Sequence, residues 1–265
     1  MTRFTIITIT YNAEKVVQRT LDSVLQQTYE AIEHLIVDGA STDKTMQLAQ
    51  AYKQKSDASG CGHKVILRSE PDEGIYDAMN KGLTQAGGNY VVFMNAGDFF
   101  PQADTLEQIA RRCRLNELPT DELPAVLYGN TNIVDNEGRF LHPRRLQPPA
   151  QLTWQSFRQG MLVCHQAFYA RTDLAKNLQY DTQYRFSADV DWCIRVMREG
   201  ERAGLPLYNI NMVLACYTEE GATTRHHRAS LRERFRIMCR HYGYLSTIAM
   251  HLWFVVRAIR EKGKK

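Results

Sequence analysis

Three short stretches hold carboxylates in settings where a carboxylate can do chemistry. In Asp38-Gly39-Ala40-Ser41-Thr42-Asp43 an acid is followed by a flexible turn and then by residues that cap helices. A carboxylate so placed can accept from a base or a ribose, and the helix start beyond it favours anions. A plain capped turn accounts for the same residues. In Asn95-Ala96-Gly97-Asp98 the acid follows a wholly apolar run, residues 90–94. Mg²⁺ typically takes one or two carboxylates plus phosphate oxygens, so Asp98 could bridge such a cation to a diphosphate. In Ser187-Ala188-Asp189-Val190-Asp191-Trp192 two acids open a helical pattern continued by Ile194, Val196 and Met197. N-terminal capping explains one of them; the other, with Trp192 beside it, suggests a base next to the face of a sugar.

Weaker signals surround these. The run from Glu70 to Lys81 is dense in polar groups where it enters a helix, and Lys81, one turn from Asp77, is equally a surface ion-pair partner. His165, between Cys164 and Gln166, reads first as a core histidine. His226-His227 suits metal or phosphate contacts, or simply a polar loop, and ranks below the carboxylates.

The elements that must position these groups alternate in type. Strand-like runs at residues 4–10, 34–37, 65–67 and 90–94 are separated by helical patterns, which predicts an α/β fold with a parallel sheet. Asn12 is expected to cap a helix carrying Val16, Val17, Leu21, Val24 and Leu25 at helical spacing. Further helices are expected over residues 43–52, 75–83, 106–115 and 189–198, a hairpin over 132–141, a proline-rich loop over 143–149, and two closing helices. Tyr11, Asp38 and Asp98 all fall at the carboxyl ends of strands, where open α/β sheets bind ligands.

With 265 residues, 44% hydrophobic and 23% charged, the chain can bury a real core. Its net charge of +4 is unevenly placed. From His226 onward ten Lys/Arg face only Glu233 and Glu261, a net +8, which leaves the preceding body at −4. An acidic body with a basic tail argues against a nucleic-acid partner and for a tail that meets an anionic membrane surface. In that tail Leu245, Ile248, Leu252, Val255 and Ile259 form an apolar stripe. Trp253 and Phe254 suit an interface, and Arg257, Arg260, Lys262, Lys264 and Lys265 suit headgroups. Packing of the same helix on the catalytic domain or a second subunit is the alternative. Polar breaks at Ser246, Thr247, His251 and Arg257 argue against a spanning helix. The six scattered cysteines are expected to be reduced, and no export pattern precedes the first strand, so a cytoplasmic protein is expected, with peripheral attachment to the inner face of the cell membrane as its extension.

Taken in chain order, Thr8-Ile9-Thr10-Tyr11-Asn12, Asp38-Gly39-Ala40-Ser41-Thr42-Asp43 and Asn95-Ala96-Gly97-Asp98 resemble the inverting family-two glycosyltransferases of the GT-A fold. The run from Ser69 to Gly82, His165-Gln166 and Ser187-Ala188-Asp189 resemble the branch found in bacterial colanic-acid, capsule and O-antigen gene clusters. The resemblance covers roughly residues 4–217. It implies a Rossmann-like, mostly parallel sheet with flanking helices, to which the two closing helices add a C-terminal helical tail. The catalytic domain would span residues 1–225, its nucleotide part about 1–100 and its acceptor part about 101–225, and the tail 226–265.

The resemblance also implies roles. Thr10, Tyr11, Asn12 and Asp38 would hold the nucleoside, with Asp38 facing the base and Asp72 and Lys81 lining the same pocket. Asn95 and Asp98 would meet the donor, Asp98 holding Mg²⁺ or Mn²⁺. Asp189 would be the catalytic base, with His165 and Trp192 on the acceptor side. Two residues depart from the pattern: Asn95 stands where many members carry an acid, and Ala188 where many carry Glu. The base therefore stays open between Asp189 and Asp191. The implied reaction moves a sugar from a nucleotide-diphosphate donor, a UDP-sugar first, to a saccharide or lipid-linked acceptor with inversion. A binding module without turnover and a nucleotidyltransferase are the rivals. The joint presence of Asp98 and Asp189 argues against the first, and the lack of a Gly-rich, basic triphosphate loop after the first strand against the second.

Overall fold

The computed structural model describes residues 1–218 and 227–262, without the side chains of His227, Val255 and residues 257–262. His226, Lys264 and Lys265 therefore lie outside the described residues, as do the side chains of Arg257, Ile259, Arg260 and Lys262.

Four strands form the parallel half of one eight-stranded sheet: β1 Phe4–Thr10, β2 Ile32–Asp38, β3 Lys64–Ser69 and β4 Tyr90–Phe93. β7 (Phe168–Arg171) joins β4 antiparallel and carries the sheet on to β5 (Val126–Val134). β6 (Phe140–Pro143) pairs antiparallel with β5 as the expected hairpin, and β8 (Leu207–Thr218) runs parallel to β5 on its other side. Every residue of β1, β2 and β4 is buried, as a sheet covered on both faces requires.

Five helices pack on this sheet: α1 Val17–Leu25, α2 Thr45–Ser59, α3 Ile75–Gln85, α4 Thr105–Arg112 and α5 Thr172–Asn177. α3 seats so closely on β1 that a Cβ at Gly82 would lie 2.6 Å from the Ile7 side chain. α2 outruns its expected end at residue 52 and stops at Gly60, in the left-handed conformation that closes helices. Asn12 does not cap α1, which begins at Val17 with no side-chain cap. It has a φ of +46° and turns the chain directly after β1.

α6 (Ala188–Arg202) carries the third acidic stretch, and α7 (His227–Tyr242) and α8 (Tyr244–Lys262) close the chain. α7 is no loose appendage. Its Ile237, Met238 and Tyr242 are buried in the same core as Ile7, Phe93 and Trp192, each contributing on the order of 1.5–3 kcal/mol of apolar burial. All six cysteines are free.

Candidate active site

The parallel register places Thr10 beside Asp38 and Asp38 beside Ser69, so three strands end in line. Asp38 uses that alignment. Thr10 Oγ1 donates to its Oδ1 at 2.9 Å, the Ser41 backbone N–H to Oδ2 at 2.9 Å and Ser69 Oγ to Oδ2 at 2.7 Å, with the Ser41 hydroxyl adding another bond. Asp38 is fully buried. Its oxygens latch the ends of β1, β2 and β3. Asp38→Ala would strand the buried Thr10 hydroxyl, whereas the half-buried Ser41 and exposed Ser69 hydroxyls can turn to water, so a loss of about 1–3 kcal/mol is expected in urea denaturation. A stability within 0.5 kcal/mol of the parent would contradict the latch.

Tyr11 and Asp72 meet over Gly39 beside the latch. A Cβ at Gly39 would collide with the Asp72 carboxylate and touch the Tyr11 ring, so glycine lets both side chains pack against the backbone here. Tyr11 is 66% exposed, and Asp72 is fixed by the Gly74 N–H on Oδ1 at 2.9 Å. Lys81 does not stand free. It donates to the Pro71 carbonyl at 2.7 Å and pairs with Glu70 and Asp77, pinning the loop that presents Asp72. Asn12 laces the facing loops, its N–H donating to Ser41 Oγ at 2.8 Å and its Oδ1 accepting from the Thr42 N–H at 3.0 Å. Asn12 and Ala40 both hold positive φ, conformations that persist in non-glycine residues only where the surroundings over-determine them.

Beyond β4 the Asn95–Asp98 loop is held by Thr20. Its hydroxyl accepts from the Gly97 N–H at 2.8 Å and donates to the Asp98 carbonyl at 2.6 Å. A single turn, His165–Ala167, then joins this loop to α6. Gln166 Nε2 donates to Asp98 Oδ2 at 2.9 Å. His165 Nε2 lies 3.2 Å from Asn95 Nδ2, and its Nδ1 lies 3.5 Å from Asp189 Oδ2. The tautomer satisfying both neighbours carries hydrogen on Nδ1, so that the amide donates to Nε2 and the ring faces Asp189 with an N–H. Tyr76 donates to Asp189 Oδ1 at 3.2 Å. Asn95, Asp98, His165 and Asp189 are thereby brought together from three distant segments.

The two carboxylates differ in character. Burial pushes the Asp98 carboxyl up to about 6, against the opposing hydrogen bond from Gln166 and the influence of His165. Burial also pushes Asp189 up, but the His165 hydrogen bond, the Arg234 charge and the Tyr76 hydrogen bond outweigh it and leave Asp189 below its usual value. Asp189 is thus held in its ionised form. Asp98 is a buried acid short of compensating charge, and Asn95 Oδ1 next to it is buried without a partner. An orphaned oxygen and an under-compensated carboxylate fit a hard divalent cation. Among the described residues no group of three His, Cys, Asp or Glu could hold a metal by itself, so any such ion would share its shell with donor phosphates.

Asp191 and Trp192 point elsewhere. Residues two apart on a helix do not face each other, and Asp191 is fully buried on the far side of α6 from Asp189. It accepts from Arg195 Nε at 2.6 Å and pairs with His241 Nε2 at 2.7 Å. Although burial raises its carboxyl, the His241 hydrogen bond and the Arg195 charge leave it below its usual value. Trp192, expected beside the acceptor, is corrected to core: it is fully buried, stacked on Tyr180 at 4.9 Å and edge-on to Phe93 and Phe168. Tyr76, Gln166 and Thr20 were not expected at the site. The first two sit inside the quoted runs, while nothing in the sequence marks Thr20.

Comparison with known proteins gives these features a context. A family model described as glycosyl transferase family 2 matches residues 5–177. A PGL/p-HBAD biosynthesis glycosyltransferase of Mycobacterium tuberculosis is 32% identical over 219 residues, covering 82% of this chain and 77% of the relative. Among solved structures, S. aureus TarS 1–349 in complex with UDP-GlcNAc superposes with a TM-score of 0.63 at 18% identity, over 94% of this chain and 70% of that one. The longer TarS chain is spanned over only 43% of its length. The mannosyltransferase PcManGT of Pyrobaculum calidifontis, in complex with GDP-Man and Mn²⁺, superposes at 0.60 and 18% identity, over 99% of this chain and 79% of that one. At such identities the structural likeness shows a shared fold.

Proposed function

The chain belongs to glycosyl transferase family 2 and has the GT-A fold, and from that premise we propose that it transfers a sugar, with inversion, from a UDP-sugar to a saccharide or lipid-linked acceptor in bacterial surface polysaccharide assembly. The observation that carries this reading is the juxtaposition of the buried acid Asp98 and the ionised acid Asp189 across the His165-Gln166 turn. One has the character of a phosphate-side metal ligand, the other that of a general base.

In this reading the nucleobase is met by the exposed Tyr11 and by Asp72 beside Gly39, with Thr10, Asn12, Asp38 and Lys81 around them. Asp98 and the free oxygen of Asn95 would hold Mg²⁺ or Mn²⁺, which supplies charge neutralisation for the departing diphosphate. Asp189 accepts the proton of the acceptor hydroxyl as that oxygen bonds to the anomeric carbon. The bond from that carbon to the diphosphate oxygen breaks on the opposite face, and the nucleoside diphosphate leaves with the electron pair. His165 and Tyr76 hold Asp189 in its accepting orientation. A thermal-shift screen of UDP-, GDP- and dTDP-sugars with Mn²⁺ tests donor choice: the largest rise is expected for a UDP-sugar. A preference for GDP- or dTDP-sugars would overturn that part. Proton NMR of the anomeric signal of the product tests inversion.

The reading includes the cytoplasmic face of the membrane as the working site. No helix among the described residues is long and apolar enough to cross a membrane. α8 packs Met250 and Phe254 against the core and leaves Leu245, Leu252, Trp253 and Val256 exposed. On the neighbouring α7, Arg232 and Arg236 are exposed. Apolar and cationic groups together suit an anionic bilayer. Deleting residues from 244 onward is expected to abolish sedimentation with phosphatidylglycerol vesicles while UDP binding survives. Undiminished sedimentation of the truncated protein would contradict the attachment.

A further inference from the structure

The segment that presents Asp189 is held from outside the family-matched span of residues 5–177, by the inward face of α7. Glu233 accepts from the backbone N–H groups of Arg185 and Phe186 at 2.9 and 2.8 Å. Those are the donors just ahead of α6, whose first position has no side-chain cap of its own. Ser230 Oγ meets Ser187 Oγ at 3.0 Å, with both serines buried. Arg240 donates to Asp181 at 3.0 Å. On the far side of the acid, His241 Nε2 closes on Asp191 at 2.7 Å. Ser230, Glu233, Ile237 and His241 recur at three and four residues, so one stripe of α7 meets residues 181–191 along its length.

From this arrangement we infer that Glu233 and His241 are positioning residues for sugar transfer: α7 splints the turn before α6 and so fixes where the Asp189 carboxylate stands relative to Asp98. The inference rests on the reading of Asp189 as the base. Glu233 bears on Asp189 through the Arg185 and Phe186 peptide groups at the turn before α6, and His241 through the buried Asp191 further along the helix. Neither bonds to Tyr11, Asp72 or the Asn95–Asp98 loop. Their loss should therefore be felt in turnover and not in nucleotide binding. A displacement of about 1 Å at a reacting group can cost on the order of 100-fold in rate.

The test compares Glu233→Ala and Glu233→Gln with the parent. Turnover is read as UDP released from the UDP-sugar giving the largest thermal shift, with a bacterial envelope lipid extract as the acceptor pool, and UDP affinity with Mn²⁺ is read by calorimetry. Glu233→Ala is expected to lower kcat about 10- to 100-fold with donor KM and UDP affinity within about twofold. Glu233→Gln, which keeps a carbonyl acceptor for the backbone, is expected to recover most of the loss. A folded Glu233→Ala with the parent kcat, or one in which kcat and UDP affinity fall together without rescue by Gln, overturns the inference. Should Glu233→Ala not fold, His241→Gln carries the same readout: a fall in kcat at unchanged UDP affinity supports the splint, and an unchanged kcat defeats it. Asp189→Asn run in parallel separates the two ideas. An active Asp189→Asn defeats the base on which the inference rests, whereas an inactive one beside a fully active Glu233→Ala defeats the splint alone.

Discussion

Asp189→Asn is expected to lower kcat by about two to four orders of magnitude, the usual range for a lost general base, while UDP binding with Mn²⁺ stays within about twofold of the parent. The amide keeps the shape of the carboxylate and a hydrogen-bonding oxygen for Tyr76 or His165, so the fold around it has little reason to change. It loses the ability to take a proton from the acceptor. Asp191→Asn should behave differently. Its oxygens are paired with Arg195 and His241, so removing the charge there acts first on the seam between α6 and α7 and lowers the melting temperature. Steady-state kinetics and thermal melts on the two variants check this together. Near-parent turnover in Asp189→Asn, with Asp191→Asn stable but inactive, would transfer the base to Asp191.

Asp98→Ala is expected to remove the increase in UDP affinity that Mn²⁺ confers and to lower turnover on the order of 100- to 1,000-fold, as for the loss of one preorganised electrostatic partner. The physical reason is the position of that acid. It is buried, its carboxyl is pushed up to about 6, and it has Gln166 as a side-chain donor. Neutralisation by a cation and its phosphates suits it better than isolation. Calorimetric titration of UDP with and without Mn²⁺ reads the effect directly. Parent-like activity in excess chelator, or an undiminished Mn²⁺ effect in Asp98→Ala, would contradict the metal assignment.

The parallel half of the fold was legible because its strands are short apolar runs that deliver their polar residues at one end. Tyr11, Asp38 and Asp98 fell on that edge from periodicity alone. What each of them does there was less legible. Asp38 and Asp72 are alike in sequence as acids near glycine, and only the register of three strand ends makes the first a latch and leaves the second against Gly39 beside Tyr11. Asp189 and Asp191 were indistinguishable as acids at a helix start. Which of them meets His165 and which meets His241 depends on how α6 is rotated against β7 and α7, and those are long-range contacts that a local pattern does not encode. Trp192 was misassigned for the same reason. An aromatic beside an acid reads as a sugar platform, yet the helix turns it into a core formed by Phe93, Phe168 and Tyr180 from three other segments. Neither the charge of the tail nor the apolar stripe from Leu245 to Ile259 points to Ile237, Met238 and Tyr242, the buried residues that fasten α7 to the catalytic body.

The most direct test of the account is a product analysis on the purified full chain, supplied with a UDP-sugar, Mn²⁺ and an envelope lipid extract. The expected result is free UDP released in step with sugar incorporated into the acceptor fraction, and neither product from Asp189→Asn. Release of pyrophosphate in place of UDP, or saturable UDP-sugar binding with no turnover by the parent chain, would contradict it.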